Sequence, residues 1–441
     1  MEFGQPSAGD AADLPISGGP MNRFCILSSA ILLTGVSQAG AGQHYVATDL
    51  GELSGSPETY QVRPRGINNF GQVVGYAEAL HGGSLTHPFL WTPQVPHGSV
   101  GAMTDLNLLP DPLWQWGGAT GINDSGQVVG YSGTPNSNQA FVWTPSTPNG
   151  STGAIMGLPN PPGDFTRGRA AGGINASGQV VGVSIPPSGD IPSAGQTAFV
   201  WKPTLPNGDS GTLTDIVDTA SASGSGFTMS GINSAGQFVS NCNSGPSLWT
   251  ESGGGVYSQT ILSDFHEVTA INNQGQVLGT VRVAGPHDVA AIWTPTTPNA
   301  TTGSTQLLPV NTSNAFAKGM NSNDQVVGIY PDPITNQEAA FVYDPALGTT
   351  DLNTALVNSI TGWTLVSADG INDSGQIIAT GAEYILLPRG NELREVDHTF
   401  LLTPTAVPEP LNAVFGLLIA PCIRRRRRIE KCAQPICGAL S

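Results

Sequence analysis

The side chains able to do chemistry are scattered along this chain. The seven histidines, His44, His81, His87, His97, His266, His287 and His398, share no spacing and form no H-E-x-x-H pair that could hold zinc. No G-x-S-x-G elbow presents a serine, and no GxxxxGK[ST] loop cradles a phosphate. Carboxylates are plentiful, but spacing singles out no two of them as the acid and base of a glycosidase. Asp124, Asp324 and Asp373 stand beside asparagines in turns without the D-x-[DN]-x-[DN]-G ladder of a calcium loop. Turn chemistry accounts for them, and a Ca2+ site is the alternative reading. The five cysteines contain no C-x-x-C pair. The residues therefore assign no catalytic group, no metal and no cofactor, and the chain reads as non-enzymatic.

What does recur is a turn. GINNFGQ begins at Gly66, GINDSGQ at Gly121 and Gly370, GINASGQ at Gly173, GINSAGQ at Gly231, AINNQGQ at Ala270 and GMNSNDQ at Gly319. Their asparagines, Asn68, Asn123, Asn175, Asn233, Asn272, Asn321 and Asn372, are spaced by 55, 52, 58, 39, 49 and 51 residues. A period near 50 marks a repeat architecture. Asparagine followed three residues later by glycine fits a type I turn closed by a left-handed residue, that is, a hairpin between two strands. The sixth copy carries Asp324 where the others carry glycine, so its turn is expected to be strained.

Each unit holds four short apolar runs. The first ends at GIN and the second is GQVVGY (Gly71–Tyr76) and its relatives. The third is aromatic, as in FLWTP (Phe89–Pro93) and FVWTP (Phe141–Pro145), and the fourth resembles MTDLNLL (Met103–Leu109). Val, Ile, Phe and Trp in runs of this length favour strands, and runs apolar on both faces are covered on both. Trp91, Trp143, Trp201, Trp249 and Trp293 hold a fixed place in the third run and read as core. Trp114 and Trp116 lie outside the pattern and are the candidates for ligand contact. The seventh unit has no fourth run, while His44–Leu53 before the first unit matches one. These features predict an all-β, seven-bladed β-propeller over residues 42–406, closed by pairing the N-terminal strand with the last blade.

Composition agrees with a turn-rich exported chain: 57 glycines, 35 prolines and 11% charged residues. Residues 42–410 hold 28 Asp and Glu against 9 Lys and Arg, a net charge of −19. That balance disfavours nucleic acid as a partner. The ends read as addresses. Residues 1–20 are an upstream extension, and residues 21–41 have the basic start, apolar core and small-residue cleavage site of a signal peptide. At the other end, Pro408-Glu409-Pro410 precedes an apolar run and then Arg424, Arg425, Arg426, Arg427 and Arg428. Residues 407–428 resemble the PEP-CTERM sorting signal, and a tail, 429–441, follows. The resemblance implies an exosortase-type protease as partner, transient membrane association, and delivery to the surface or exterior of a Gram-negative bacterium.

The repeat itself resembles the bacterial extracellular HAF family over about residues 44–404, through GIN-x-x-GQVVG and AF-hydrophobic-W. His87 and His398 keep the histidine of the eponymous triplet, and Ala140-Phe141, Ala198-Phe199 and Ala340-Phe341 keep its last two positions. The family implies secretion without an established chemistry. The expectation is a secreted, non-enzymatic surface or matrix protein that binds or scaffolds, with extracellular polysaccharide as the ligand class. The alternative is a propeller enzyme, a polysaccharide hydrolase or lyase, with its active residues on loops between strands.

Overall fold

Paired apolar residues such as Val128-Val129 need cover on both faces of their strand, and the fold supplies it by stacking sheets. The computed structural model describes residues 43–53, 59–79, 85–110, 115–134, 137–159, 168–185, 197–216, 227–283, 287–310, 314–332, 337–386 and 393–405. The segments read as signal peptide, Pro408–Pro410 motif and arginine run lie outside the described residues, as does Trp114.

After β1 (Tyr45–Asp49), strands follow in antiparallel groups of four. Unit 1 is β2 (Thr59–Ile67), β3 (Val73–Ala79), β4 (Leu85–Pro93) and β5 (Gly101–Asp105). Unit 2 is β6 (Trp116–Ile122), β7 (Val128–Thr134), β8 (Ser137–Pro145) and β9 (Gly153–Gly157). Unit 3 is β10 (Gly168–Ile174), β11 (Val180–Ile185), β12 (Thr197–Pro203) and β13 (Gly211–Ile216). Unit 4 is β14 (Thr228–Ile232), β15 (Phe238–Cys242), β16 (Gly245–Gly253) and β17 (Val256–Ile261). Unit 5 is β18 (Glu267–Ile271), β19 (Val277–Val283), β20 (His287–Pro295) and β21 (Gly303–Leu307). Unit 6 is β22 (Phe316–Met320), β23 (Val326–Pro331), β24 (Glu338–Asp344) and β25 (Gly348–Asp351). Unit 7 has β26 (Thr364–Ile371), β27 (Ile377–Leu386) and β28 (Leu393–Pro404), and β28 pairs antiparallel with β1, Thr48 opposite Leu401 and Asp49 opposite Phe400. The fold is all-β and propeller-like, a series of four-stranded antiparallel sheets.

Alternation along each second strand sends neighbouring residues into different cores. Val128 packs with Val74 and Leu90 of unit 1, whereas Val129 packs with Val180 and Phe199 of unit 3. The same arrangement joins Ile378 and Leu401 of unit 7 to Val62, Val73 and Trp91 of unit 1. Trp91, Trp143, Trp201, Trp249 and Trp293 are buried in these layers, as expected from their fixed place in the repeat.

The turn asparagines fasten one unit to the next. Asn123 Oδ1 accepts from the backbone N–H of Ser125 (3.1 Å) and Gln127 (3.0 Å), which holds its own hairpin. Its Nδ2 donates to the backbone carbonyl of Asn175 in unit 3 (3.1 Å). The same donation runs from Asn68 to Asn123 (3.0 Å), Asn175 to Asn233 (3.0 Å), Asn321 to Asn372 (3.0 Å) and Asn372 to Asn68 (3.1 Å). The glutamine that ends the motif adds a second link, Gln127 Nε2 reaching Thr144 Oγ1 of its own unit and the Asn207 carbonyl of unit 3, both at 3.1 Å. All seven turn asparagines are buried. At the motif's leading position a Cβ would be tight at Gly319, 3.2 Å from Gly370 Cα, but in ordinary contact at Gly121, 3.5 Å from Gly173 Cα, and the fifth copy carries Ala270 there.

Two changes test this account by urea unfolding. Asn123→Ala takes the acceptor from the Ser125 and Gln127 amides and one of two donors from the Asn175 carbonyl, which keeps the Gly178 N–H, and should lose about 2–4 kcal/mol. Asn123→Asp keeps the acceptor but turns a carboxylate oxygen towards Asn175 O and Gln127 Oε1. It should lose a similar amount at neutral pH and recover part of it in acid. Unchanged midpoints for both variants would refute the clasp.

The turn's left-handed position is the second test. Gly126 has φ +82°, and a Cβ there would sit 2.9 Å from Asn149 Cα, while Asp324 holds φ 59° without glycine's freedom. Gly126→Val should cost about 1–3 kcal/mol. Asp324→Gly should instead stabilise by about 1 kcal/mol. A loss of stability at Asp324→Gly would show that its side chain, not the backbone, governs that turn.

Candidate functional site

Every first strand carries a bulge three residues before the turn asparagine, and β2 and β26 carry a second one, between Thr59 and Gln61 and between Leu365 and Ser367. The ladder to the second strand skips Arg65, Thr120, Gly172, Ser230, Thr269, Lys318 and Asp369. A bulge re-aims the side chain it releases, and bulges concentrate beside functional sites. Here all seven skipped residues line one cavity of about 680 Å³, to which all seven first strands contribute. At the other end of these strands the seven turns line a smaller cavity of about 260 Å³.

The larger cavity has a charged sector and an aromatic sector. Lys318 Nζ donates to Asp369 Oδ1 and to Ser367 Oγ, both at 2.8 Å. Thr380 Oγ1 donates to the other carboxylate oxygen of Asp369 at 2.7 Å. Asp369 is thus oriented from three sides. Glu267, exposed at the start of β18, lines the same cavity. In the aromatic sector the Arg65 guanidinium lies over the Tyr76 ring, 5.4 Å from its centroid, with Tyr131 beside them. Burial raises the Tyr131 pKa and neighbouring Tyr76 adds to the rise, against an opposing effect of Arg65. Tyr131 is therefore a hydroxyl donor at neutral pH. Asn241 Nδ2 and Oδ1 bond the backbone of Val268 (2.9 and 2.8 Å), which ties the wall of unit 4 to unit 5.

The residues singled out in the sequence fall elsewhere. The seven asparagines are structural. Trp116 begins β6 half-buried, its indole nitrogen where a Cβ on Gly133 would stand, and it does not line the cavity. Asp124 and Asp373 serve neighbouring turns: Asp124 accepts from the Asn69 backbone at 2.8 Å, and Asp373 from Ser322 Oγ at 2.6 Å. Among the described residues no group of three or more His, Cys, Asp or Glu is placed to hold a metal. The cavity residues were missed because their signal is faint. It consists of one polar or glycine position, R, T, G, S, T, K, D, recurring three residues before the asparagine.

His87 and His398 each face the aspartate of the fourth strand. His87 Nδ1 lies 2.9 Å from Asp105, and His398 Nδ1 lies 3.0 Å from Asp49 of β1. Arg169 occupies this role towards Asp215 in unit 3, and the Tyr330 hydroxyl towards Asp351 in unit 6.

No family model matches the chain, and no curated protein matches it. Among solved structures, the chain is similar to Zg3597, a family 117 glycoside hydrolase produced by the marine bacterium Zobellia galactanivorans. The similarity covers 86% of this chain and 98% of that one at 10% identity, with a TM-score of 0.29. The expectation of a non-enzymatic binding or scaffold protein is corrected against this finding: the matched structure is an enzyme. At that TM-score the likeness carries no argument about fold, reaction or residues, which rest on the geometry above.

The His398–Asp49 pair generates a prediction about β1. Burial would lower the His398 pKa, but the bond and charge of Asp49, with Glu52 and Glu383 beyond, outweigh it and raise the pKa above 6.5. Burial would raise the Asp49 pKa, but the bond from His398, the Gly51 N–H and the histidine's charge bring it below 3.8. The histidine's contribution is complete below about pH 6.5 and fades as pH rises through its raised folded value; the aspartate's is complete above about pH 4 and fades in acid. Amide exchange of residues 45–49, corrected for intrinsic rates, should therefore speed up as pH rises above about 6.5. His398→Gln should remove that dependence. Equal pH dependence in wild type and variant would show that the pair does not fasten β1.

Proposed function

We propose that the described domain is a seven-bladed β-propeller closed by β1 on β28, and that the bulge-lined cavity at its centre binds and hydrolyses a polysaccharide. Supporting the ring are the unit 7–unit 1 core and the Asn372–Asn68 bond. A sugar chain suits a lining of hydroxyls, amides and two tyrosines, because polyols are held by many convergent polar groups beside aromatic faces.

The observation that carries the reading is the pair of carboxylates in one cavity, one held and one free. Asp369 is fixed by Lys318, Ser367 and Thr380, whereas Glu267 is exposed at the rim. Hydrolysis of a glycosidic bond needs this division of labour. Glu267 donates a proton to the departing glycosidic oxygen as the C1–O bond breaks. Asp369 takes a proton from the water whose oxygen bonds to C1. Lys318 steadies the Asp369 carboxylate and keeps it aimed.

Export by the signal-like residues 21–41 and sorting by Pro408-Glu409-Pro410 with Arg424–Arg428 belong to the same proposal, because a polysaccharide substrate lies outside the cell.

Release of reducing ends from a panel of bacterial and algal polysaccharides tests the activity. Glu267→Gln and Asp369→Asn should each lower turnover by about 100-fold or more, with Glu267→Gln leaving the melting temperature unchanged. A wild-type protein that releases no reducing ends from any substrate would overturn the proposal. So would variants as active as wild type.

A further inference from the structure

We infer that the sugar chain taken up by this cavity is polyanionic, and that Arg65 reads its negative groups. The inference rests on the proposed function and names the substrate class of that site.

The argument begins with charge. Residues 42–410 have a net charge of −19, so cations are few and carboxylates surround them. Among the described side chains, Arg63 pairs with Asp397, Arg169 with Asp215, Lys202 with Glu251, Arg282 with Asp288 and Lys318 with Asp369. Arg65 alone among them has no carboxylate partner. It is exposed, it is the residue its strand bulges out, and it faces the cavity. In so acidic a chain an arginine left without a counter-ion at the centre of a cavity is an exception with a use.

The geometry suits an anionic ligand group. A guanidinium lying over a ring keeps its N–H edges in its own plane, free to grip a carboxylate or a sulfate in bidentate fashion. The contact with Tyr76 fixes that plane at no cost in exposed donors. Lys318 supports it: an ammonium has three N–H donors, and two are used by Asp369 and Ser367. Arg65 belongs to unit 1 and Glu267 to unit 5, four units on along the chain. The two carboxylates that would do chemistry are thus either matched by Lys318 or far round the wall, and the unmatched cation is left for the ligand. A neutral glycan would give Arg65 nothing to neutralise it.

Affinity electrophoresis of the full chain through gels containing polygalacturonate, dextran sulfate or neutral dextran tests the inference. Wild type should be retarded by a polyanion, less so as salt is raised. Arg65→Gln should weaken that retardation about tenfold or more, and Arg65→Lys by less. Retardation by polygalacturonate alone identifies carboxylate as the group read, and by dextran sulfate alone sulfate; either supports the inference. Glu267→Gln should bind the polyanion as wild type does. Undiminished binding by Arg65→Gln, or retardation by dextran alone, overturns the polyanion assignment while leaving the proposed hydrolase standing. Failure of all three gels together with no released reducing ends overturns both.

Discussion

A single carboxamide does two jobs at five of the seven turns. The oxygen of the turn asparagine organises its own hairpin, and its nitrogen reaches the corresponding carbonyl of the next unit. The group is buried, so each bond is made in a low-dielectric setting where leaving it unmade is costly. A serine or threonine could supply the acceptor but lacks the length to bridge. An aspartate has the length but no donor. Where the bond to the next unit is made, the need for donor and acceptor on one short arm accounts for asparagine.

That close approach at one end determines the site at the other. First strands held tightly together at their turns open into a wider cavity three residues earlier, where each releases one side chain through a bulge. The positions so released vary in residue type while those around them repeat. Arg65, Lys318 and Asp369 are tolerated there because the cavity hydrates or pairs them. The charges of Lys318 and Asp369 one residue earlier, at Ala317 and Ala368, would enter an apolar core.

Local pattern made much of the fold legible. Asn with glycine three residues on gives a hairpin, apolar runs of five to nine residues give strands, and the orphan TDL segment at Thr48–Leu50 finds β28, which lacks a fourth partner in its own unit. Tryptophans held at one place in the repeat proved to be core. The reach of Asn123 to a carbonyl 52 residues on was not legible, because nothing local requires it. The bulges were missed for a related reason: a bulge is a mismatch between two strands, and the sequence of one strand does not announce it. Trp114 and Trp116 drew attention by departing from the repeat, yet the cavity is built from positions that obey it. Chemistry looked absent because its residues lie one per unit, spread over some 300 residues, and no short motif can contain them.

The pairing of β1 with β28 has a consequence in time. Among the described strands, Tyr45–Asp49 is the first to leave a ribosome, and its partner, Leu393–Pro404, is the last. At about 5–20 residues per second, roughly 20–70 s of synthesis separate the two. Through that interval Tyr45, which ends almost fully buried, has no sheet to enter. The units between can pair their own strands, but each lacks one apolar cover until its successor arrives. The pairing of β1 is therefore completed only when the last described strand arrives. Until then β1 is a peptide waiting for a partner and is open to any other strand edge nearby.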